Sequence, residues 1–315
     1  MTSSEHGGKF LEVRNALGAI DTHYYEAGEG SNHVVLVQTG GNATSAYMCW
    51  FENLAAFADA GCHVWAPDVA GFGQSLLRAN PGQRVNASEF LVGFLDALRV
   101  PSAHFVGNSM GSNAITRLAI DHPDRVRSLI LSGGEPRVET PESAVVARTL
   151  GRTPRVDFVR EMLSKPVVTI EDMRRATADF FYDREHPLID EVARMRLATN
   201  NLLGVQARDR EHAFAQREGG RQNFDAADLA RVRVPTYLIH GRDEPGFYGP
   251  EQARVLQEAA FRVCLLIPDC SCTFLARCGH WPQIEMAETY NALALQFLGT
   301  VGRRGRRAEH ERAEG

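Results

Sequence analysis

The chain has 315 residues, 44% hydrophobic and 23% charged, an ordinary globular composition long enough to bury a sizeable core. Its 34 Lys and Arg against 39 Asp and Glu leave a net charge of -5, which excludes the strongly basic footprint of a nucleic-acid binder. No apolar run reaches the ~18 residues of a membrane-spanning helix, and the opening MTSSEHGGKF lacks the apolar stretch of a secretory signal, so a cytoplasmic location with reduced cysteines is expected.

Short apolar runs rich in β-branched residues alternate with helical patterns. His33–Val37, Cys62–Ala66, Ala103–Val106, Arg127–Leu131 and Pro235–Ile239 read as buried strands, each bounded by turn chemistry. Between them, Phe90, Phe94 and Leu98 recur at the helical period within 88–99, and Ile115, Leu118 and Ala119 do so within 112–121. Strand, helix, strand, helix predicts an α/β fold with a doubly wound, mostly parallel sheet, built from residues 1–137 and 229–301. The alternation breaks over 138–228, which is rich in Arg, Glu and Asp and reads as a helical insertion forming a lid. Its bulky residues include Phe158, Met162, Phe180, Phe181 and Tyr182; the last three fit either helix core or the wall of an apolar pocket. Residues 302–315 are charged and carry no Phe, Leu, Ile or Val, so a disordered tail is expected there.

The strongest chemical signal is Gly107-Asn108-Ser109-Met110-Gly111, between a predicted strand and a predicted helix. In that context G-x-S-x-G is a nucleophile elbow: the turn leaves no room for side chains two residues either side of the serine, and it lifts the hydroxyl off the sheet. A serine hydroxyl needs a base held by an acid, and on such a fold both follow it in the chain. The strand 235–239 runs into His240-Gly241-Arg242-Asp243-Glu244, so Asp243 or Glu244 is the acid. A short strand-like Thr273–Ala276 leads to Cys278-Gly279-His280-Trp281, which makes His280 the base. Oxyanion N–H donors are expected from Met110 and from Gly40 and Gly41, in the loop Gln38-Thr39-Gly40-Gly41-Asn42. Asn108 and Trp281 would shape the substrate site. Cys270, Cys272, Cys278 and His280 do not read as a zinc site, because the spacing is C-x-C rather than C-x2-C, and no metal or organic cofactor is expected.

These motifs, with Asp68-Val69-Ala70-Gly71-Phe72-Gly73-Gln74-Ser75 and His122-Pro123-Asp124-Arg125-Val126, resemble the α/β-hydrolase superfamily over roughly residues 10–300. Within it the chain is most similar to the meta-cleavage-product hydrolases, through G-N-S-M-G, through C-G-H-W followed by Glu285, and through the lid stretch 189–196. That resemblance implies C–C bond cleavage in a 2-hydroxy-6-oxo-dienoate from aromatic degradation, by ketonisation, hydration of the ketone and cleavage. It also implies homo-oligomers, and a lid arginine that binds the substrate carboxylate, matched here by Arg196 and next by Arg194. Ser109 would be the nucleophile or the residue that activates water. The family's H-G-G-G-P loop stands here as Gln38–Asn42, and its G-x-x-D acid falls on Glu244. The same triad also suits an ester, lactone or thioester hydrolase, and the altered loop keeps open a ligand-binding or biosynthetic protein that has lost hydrolysis.

Overall fold

The computed structural model describes residues 7–15, 18–41, 43–76, 86–134, 158, 161–162, 164–201, 224–244 and 249–313. Eight strands form one sheet: β1 (Lys9–Asn15), β2 (Gly18–Ala27), β3 (Asn32–Val37), β4 (Cys62–Pro67), β5 (Ala103–Asn108), β6 (Val126–Ser132), β7 (Thr236–Gly241) and β8 (Cys270–Leu275). Their order is β1-β2-β4-β3-β5-β6-β7-β8. The pairs β1/β2 and β2/β4 are antiparallel and all the others are parallel.

The central strands carry apolar residues on both faces because both faces are covered. Side chains alternate across the sheet: Val35, Val37, Phe105, Leu129 and Leu131 join one core, while Val34, Leu36, Val106 and Ile130 join the other. The first core lies under α3 (Ala87–Leu98) and α4 (Met110–Asp121), which contribute Phe90, Phe94, Ile115 and Leu118. The second lies under α1 (Ala46–Trp50), α2 (Leu54–Asp59) and the long C-terminal helix, with Trp50, Phe57, Tyr290 and Leu298. Helix α3 starts where the Asn86 side chain accepts from Ser88 N at 3.0 Å and stops at Arg99 in the left-handed region, φ 58°.

In the inserted stretch, α5 (Ile170–Ala178) begins with a capping box in which Thr169 and Asp172 satisfy each other's backbone N–H. Residues 189–201 form α6, and no strand occurs within 164–201. Phe180, Phe181 and Tyr182 lie between these two helices, not in a helix. The remaining helices are α7 (Ala226–Ala230), α8 (Gly249–Leu266), α9 (Pro282–Glu285) and α10 (Ala287–Ala313).

Two features lie beyond the sequence reading and one departs from it. The β1/β2 hairpin is not heralded by a continuous apolar run, because antiparallel strands at a sheet edge alternate apolar with polar residues. The apolar Val263–Leu266 is the end of the 18-residue α8, which lies between the two candidate acids and His280 in the chain. The tail expected to be disordered from 302 is helical backbone through Ala313. Arg, Ala and Glu are good helix formers, and extending an established helix avoids the cost of nucleation.

Candidate active site

The elbow sits where β5 turns into α4. Ser109 has φ 55° and ψ -111°, a conformation that costs a non-glycine residue about 1–3 kcal/mol unless its surroundings impose it. They do so through a dense set of hydrogen bonds. Ser109 N donates to Ser132 O at 2.8 Å, and Asn113 Nδ2 donates to Ser109 O at 3.1 Å. Ser112 Oγ, fully buried, donates toward Gly107 O at 2.8 Å and Ser132 O at 3.0 Å. The flanking glycines are steric requirements. A Cβ on Gly107 would lie 2.6 Å from Gly111 C, and one on Gly111 would lie 2.3 Å from Val37 O. Among these buried residues Ser109 and Met110 remain partly exposed, so the turn presents the hydroxyl outward.

Met110 opens α4, and the first N–H groups of a helix have no partner within it. The loop after β3 packs against the same residue: a Cβ on Gly40 would lie 3.1 Å from Met110 Cβ. Thr44 Oγ1 closes that loop by donating toward Thr39 O at 3.3 Å and Gly41 O at 3.1 Å. The expected oxyanion residues Met110 and Gly40 therefore meet, with Gly41 next along the same turn. Asn42 lies outside the described residues.

His280 is buried in the loop after β8, and its Nδ1 is 3.1 Å from Glu244 Oε1, which is buried as well. A carboxylate on Nδ1 fixes the ring orientation and favours the tautomer protonated there, which leaves Nε2 as the basic nitrogen. Asp243, the alternative acid, does not face the histidine. Its carboxylate accepts from Arg277 N at 2.6 Å and from Arg242 at 3.1 and 3.2 Å. Burial raises the Asp243 carboxyl, but these donors outweigh burial and hold it below the usual carboxylate range. Glu244 is thus the residue brought to His280, and Asp243 serves the turn. The close approach needs Gly241, whose Cβ would meet Gly279 O at 1.8 Å, and the segment after α5 needs Gly279, whose Cβ would meet Phe180 O at 2.3 Å. Glu244→Gln is expected to lower kcat about 100-fold, and Asp243→Asn less than about threefold. Steady-state assay of both variants checks this, and the reverse order would exchange their roles.

The chain after α5 lies directly on this loop. His280 N donates to Phe180 O at 2.7 Å, and Trp281 stacks on Phe180 with centroids 4.0 Å apart and planes at 10°. Glu285 secures the contact, accepting from Gly279 N at 2.6 Å, Tyr182 N at 2.8 Å and Asp183 N at 3.0 Å. Burial pushes this carboxyl up, against three N–H groups that favour its charged form. Phe180 and Phe181 are buried and belong to the core around Trp281, whereas Tyr182 is exposed. Trp281, expected at the substrate, is itself fully buried.

Arg196 projects from α6 into the same region and is only 3% exposed. Its guanidinium lies 5.6 Å from the Phe180 ring centroid and 5.9 Å from that of Trp281, and Nη1 donates to Thr177 Oγ1 at 2.9 Å. Arg194 is exposed. Asn108 is fully buried, and its Nδ2 is committed to His280 O at 3.2 Å and Gln283 Oε1 at 3.1 Å. Its Oδ1 has no hydrogen-bond partner among the described residues. Gln283 and Glu285 had no assigned role in the sequence reading, since Cys49 and Asn108 for the one and Tyr182 and Asp183 for the other are far away in the chain. The four residues weighed as a zinc set do not converge: Cys270 and Cys272 pack on the core beneath α8, while Cys278 and His280 lie past the end of β8. Among the described residues no group of three or more His, Cys, Asp or Glu could hold a metal, and no helix is long and apolar enough to cross a membrane.

Known proteins are similar to this chain in sequence and fold. A 2-hydroxy-6-oxononadienedioate/2-hydroxy-6-oxononatrienedioate hydrolase of Burkholderia vietnamiensis is 28% identical over 292 residues, 92% of this chain and 95% of the relative. The protein of the same name from Paraburkholderia phymatum is 29% identical over 293 residues, with the same coverage. Among solved structures, a meta-cleavage product hydrolase from Pseudomonas fluorescens superimposes with a TM-score of 0.69 at 26% identity, covering 92% of this chain and 97% of that one. An esterase from Thermogutta terrifontis reaches 0.67 at 21% identity over 93% of this chain and 99% of its own, a likeness of fold alone. Residues 32–287, from β3 through the strained serine and the histidine loop to the start of α10, match the family described as alpha/beta hydrolase fold, and the chain belongs to that family.

Proposed function

We propose that this protein is a serine-dependent hydrolase that cleaves a C–C bond in a 2-hydroxy-6-oxo-dienoate, the kind of product left by ring opening of a catechol. The observation that carries the reading is Arg196, a buried cation beside Phe180 and Trp281, on a segment held against the His280 loop. An ester hydrolase has no need of such a group, whereas a dienoate brings a carboxylate that a planar guanidinium can grip through two parallel hydrogen bonds. The names of the relatives from Burkholderia and Paraburkholderia support the same substrate class.

In this reading Arg196 holds the carboxylate. The 2-hydroxyl proton leaves as C5 gains one, giving the 2,6-diketone. His280, oriented by Glu244, then takes the proton from Ser109 or from a water that Ser109 positions, and oxygen adds to the C6 ketone. The oxyanion falls between Met110 N and the Gly40–Gly41 turn. Collapse breaks the C5–C6 bond, leaving a carboxylic acid (directly, or by hydrolysis of the seryl ester) and the enol of a 2-oxo acid. Within the expected lid, the described residues 164–201, held against the His280 loop through Phe180 and Glu285, cover this centre; residues 138–157 and 202–223 lie outside the described residues.

The test presents the purified protein with a yellow 2-hydroxy-6-oxo-dienoate and with a short p-nitrophenyl ester, with Ser109→Ala as the control. Rapid, Ser109-dependent bleaching with slow ester turnover is expected. Fast ester turnover without bleaching would overturn the C–C assignment.

A further inference from the structure

Behind the elbow, in a core that includes Trp50, Trp281, Ile284 and Tyr290, runs a chain of polar groups with no access to solvent. The backbone N–H of Thr39, at the start of the oxyanion turn, favours the ionised form of the Cys49 thiol and so faces that sulfur. Gln283 Nε2 donates to the same sulfur at 3.4 Å. At the other end of that amide, Gln283 Oε1 accepts from Asn108 Nδ2 at 3.1 Å, and Asn108 Nδ2 also reaches His280 O at 3.2 Å. The backbone of Gln283 is held too: Asn53 Nδ2 donates to Gln283 O at 3.0 Å and to Asn291 Oδ1 at 2.7 Å. Gln283, Cys49, Asn108 and Asn53 are all fully buried. Burial pushes the Cys49 thiol up to about 12, so it is a neutral acceptor for both N–H groups.

Polar groups in such a place are costly unless paired, and an apolar side chain of equal volume fills the space at no such risk. What the network supplies is geometry. One amide touches the residue before the serine with its oxygen and, through one sulfur, the oxyanion turn with its nitrogen. It stands three residues after the histidine, whose carbonyl shares the Asn108 donor.

We infer that Gln283 is a positioning residue that sets the separation of the oxyanion turn, the Ser109 elbow and the His280 loop through the relay Thr39–Cys49–Gln283–Asn108–His280. The inference rests on the Ser109–His280 reading above. It concerns distances among reacting groups, where a shift near 1 Å is enough to slow the chemistry about 100-fold. Binding of substrate at Arg196 does not pass through the relay.

Gln283→Met keeps the volume and removes both hydrogen bonds, Cys49→Ala cuts only the link to the oxyanion turn, and Cys49→Ser restores an acceptor there. Turnover is measured per active serine, counted by stoichiometric labelling with a fluorophosphonate, and the melting temperature is followed in parallel. The expected result is a kcat lowered about 100-fold in Gln283→Met and about tenfold in Cys49→Ala, with most of the latter recovered in Cys49→Ser and KM within about threefold throughout. A structural role alone would lower melting temperature and the active fraction but leave kcat per labelled serine intact, and that outcome overturns the proposal. Should Gln283→Met not fold, the Cys49 pair decides, and equal kcat in the two overturns it. Turnover surviving Ser109→Ala would instead remove the serine reading and this proposal with it. Turnover lost in Ser109→Ala but kept in Gln283→Met would remove this proposal alone.

Discussion

Ser109→Ala and His280→Gln are each expected to lower kcat about 10³- to 10⁴-fold, and the double variant is expected to lose no more than the worse of the two. The reason is that the two groups act as one unit. The Ser109 hydroxyl is activated only by the imidazole, and the imidazole has no other proton to take in that step. Residual turnover comes from parts that neither substitution touches, the N–H groups of Met110 and the Gly40–Gly41 turn together with substrate binding. KM should change little, because in this reading substrate is gripped from the lid side by Arg196. The protein should also stay folded. Serine to alanine at 109 removes one oxygen and leaves the backbone bonds of the strained turn in place, from Ser109 N to Ser132 O and from Asn113 Nδ2 to Ser109 O. Glutamine at 280 keeps the backbone bonds of that position, which run to Phe180 O and from Asn108 Nδ2. Steady-state kinetics of the two singles and the double, with circular dichroism melts, tests this. Losses that multiply in the double variant would show that the two residues work independently, and the triad reading would fall.

The elbow was legible in the sequence because its constraint is local. Gly107 and Gly111 are required by contacts that the turn itself creates, and the strand before and the helix after are short-range patterns. The acid was legible only to within two residues. Asp243 and Glu244 are neighbours with the same chemistry, and what separates them is the capture of Asp243 by Arg242 and by the backbone of Arg277, a residue 34 positions on. The relay was not legible at all. Its bonds join Gln283 to Cys49 across 234 positions and to Asn108 across 175, so no spacing along the chain announces them. Phe180 and Phe181 were ambiguous for the same reason, since the Trp281 they pack against comes about 100 residues later. Arg196 is a sharper case. Among the arginines of a charged helix the sequence ranks none by burial, yet α6 turns Arg196 inward and Arg194 outward because the face carrying Ile189, Val192, Ala193 and Arg196 repeats at three and four residues.

That inward turn makes Arg196→Gln the variant that separates the two chemistries this site could serve. For a 2-hydroxy-6-oxo-dienoate, kcat/KM is expected to fall about 10²- to 10³-fold, the range seen when one partner of a buried charged hydrogen bond is truncated. Much of that loss is the cost of leaving the substrate carboxylate in low-polarity surroundings beside Phe180 and Trp281, with no cation to meet it. For a short neutral ester the same variant should fall no more than about threefold, since nothing in that substrate seeks a cation and the Ser109–His280–Glu244 geometry is untouched. Stability should shift modestly, because glutamine still offers a donor toward Thr177 Oγ1 but gives up the ring contacts. Arg196→Lys is the informative companion. It keeps the charge and loses the two-pronged planar grip, so an intermediate loss of about tenfold on the dienoate is expected. Parallel losses on both substrates would mean that Arg196 holds the α6 segment in place and does not read the carboxylate. A dienoate kcat/KM unchanged in Arg196→Gln would send the carboxylate to another part of the site and remove the feature that distinguishes this centre from that of an esterase.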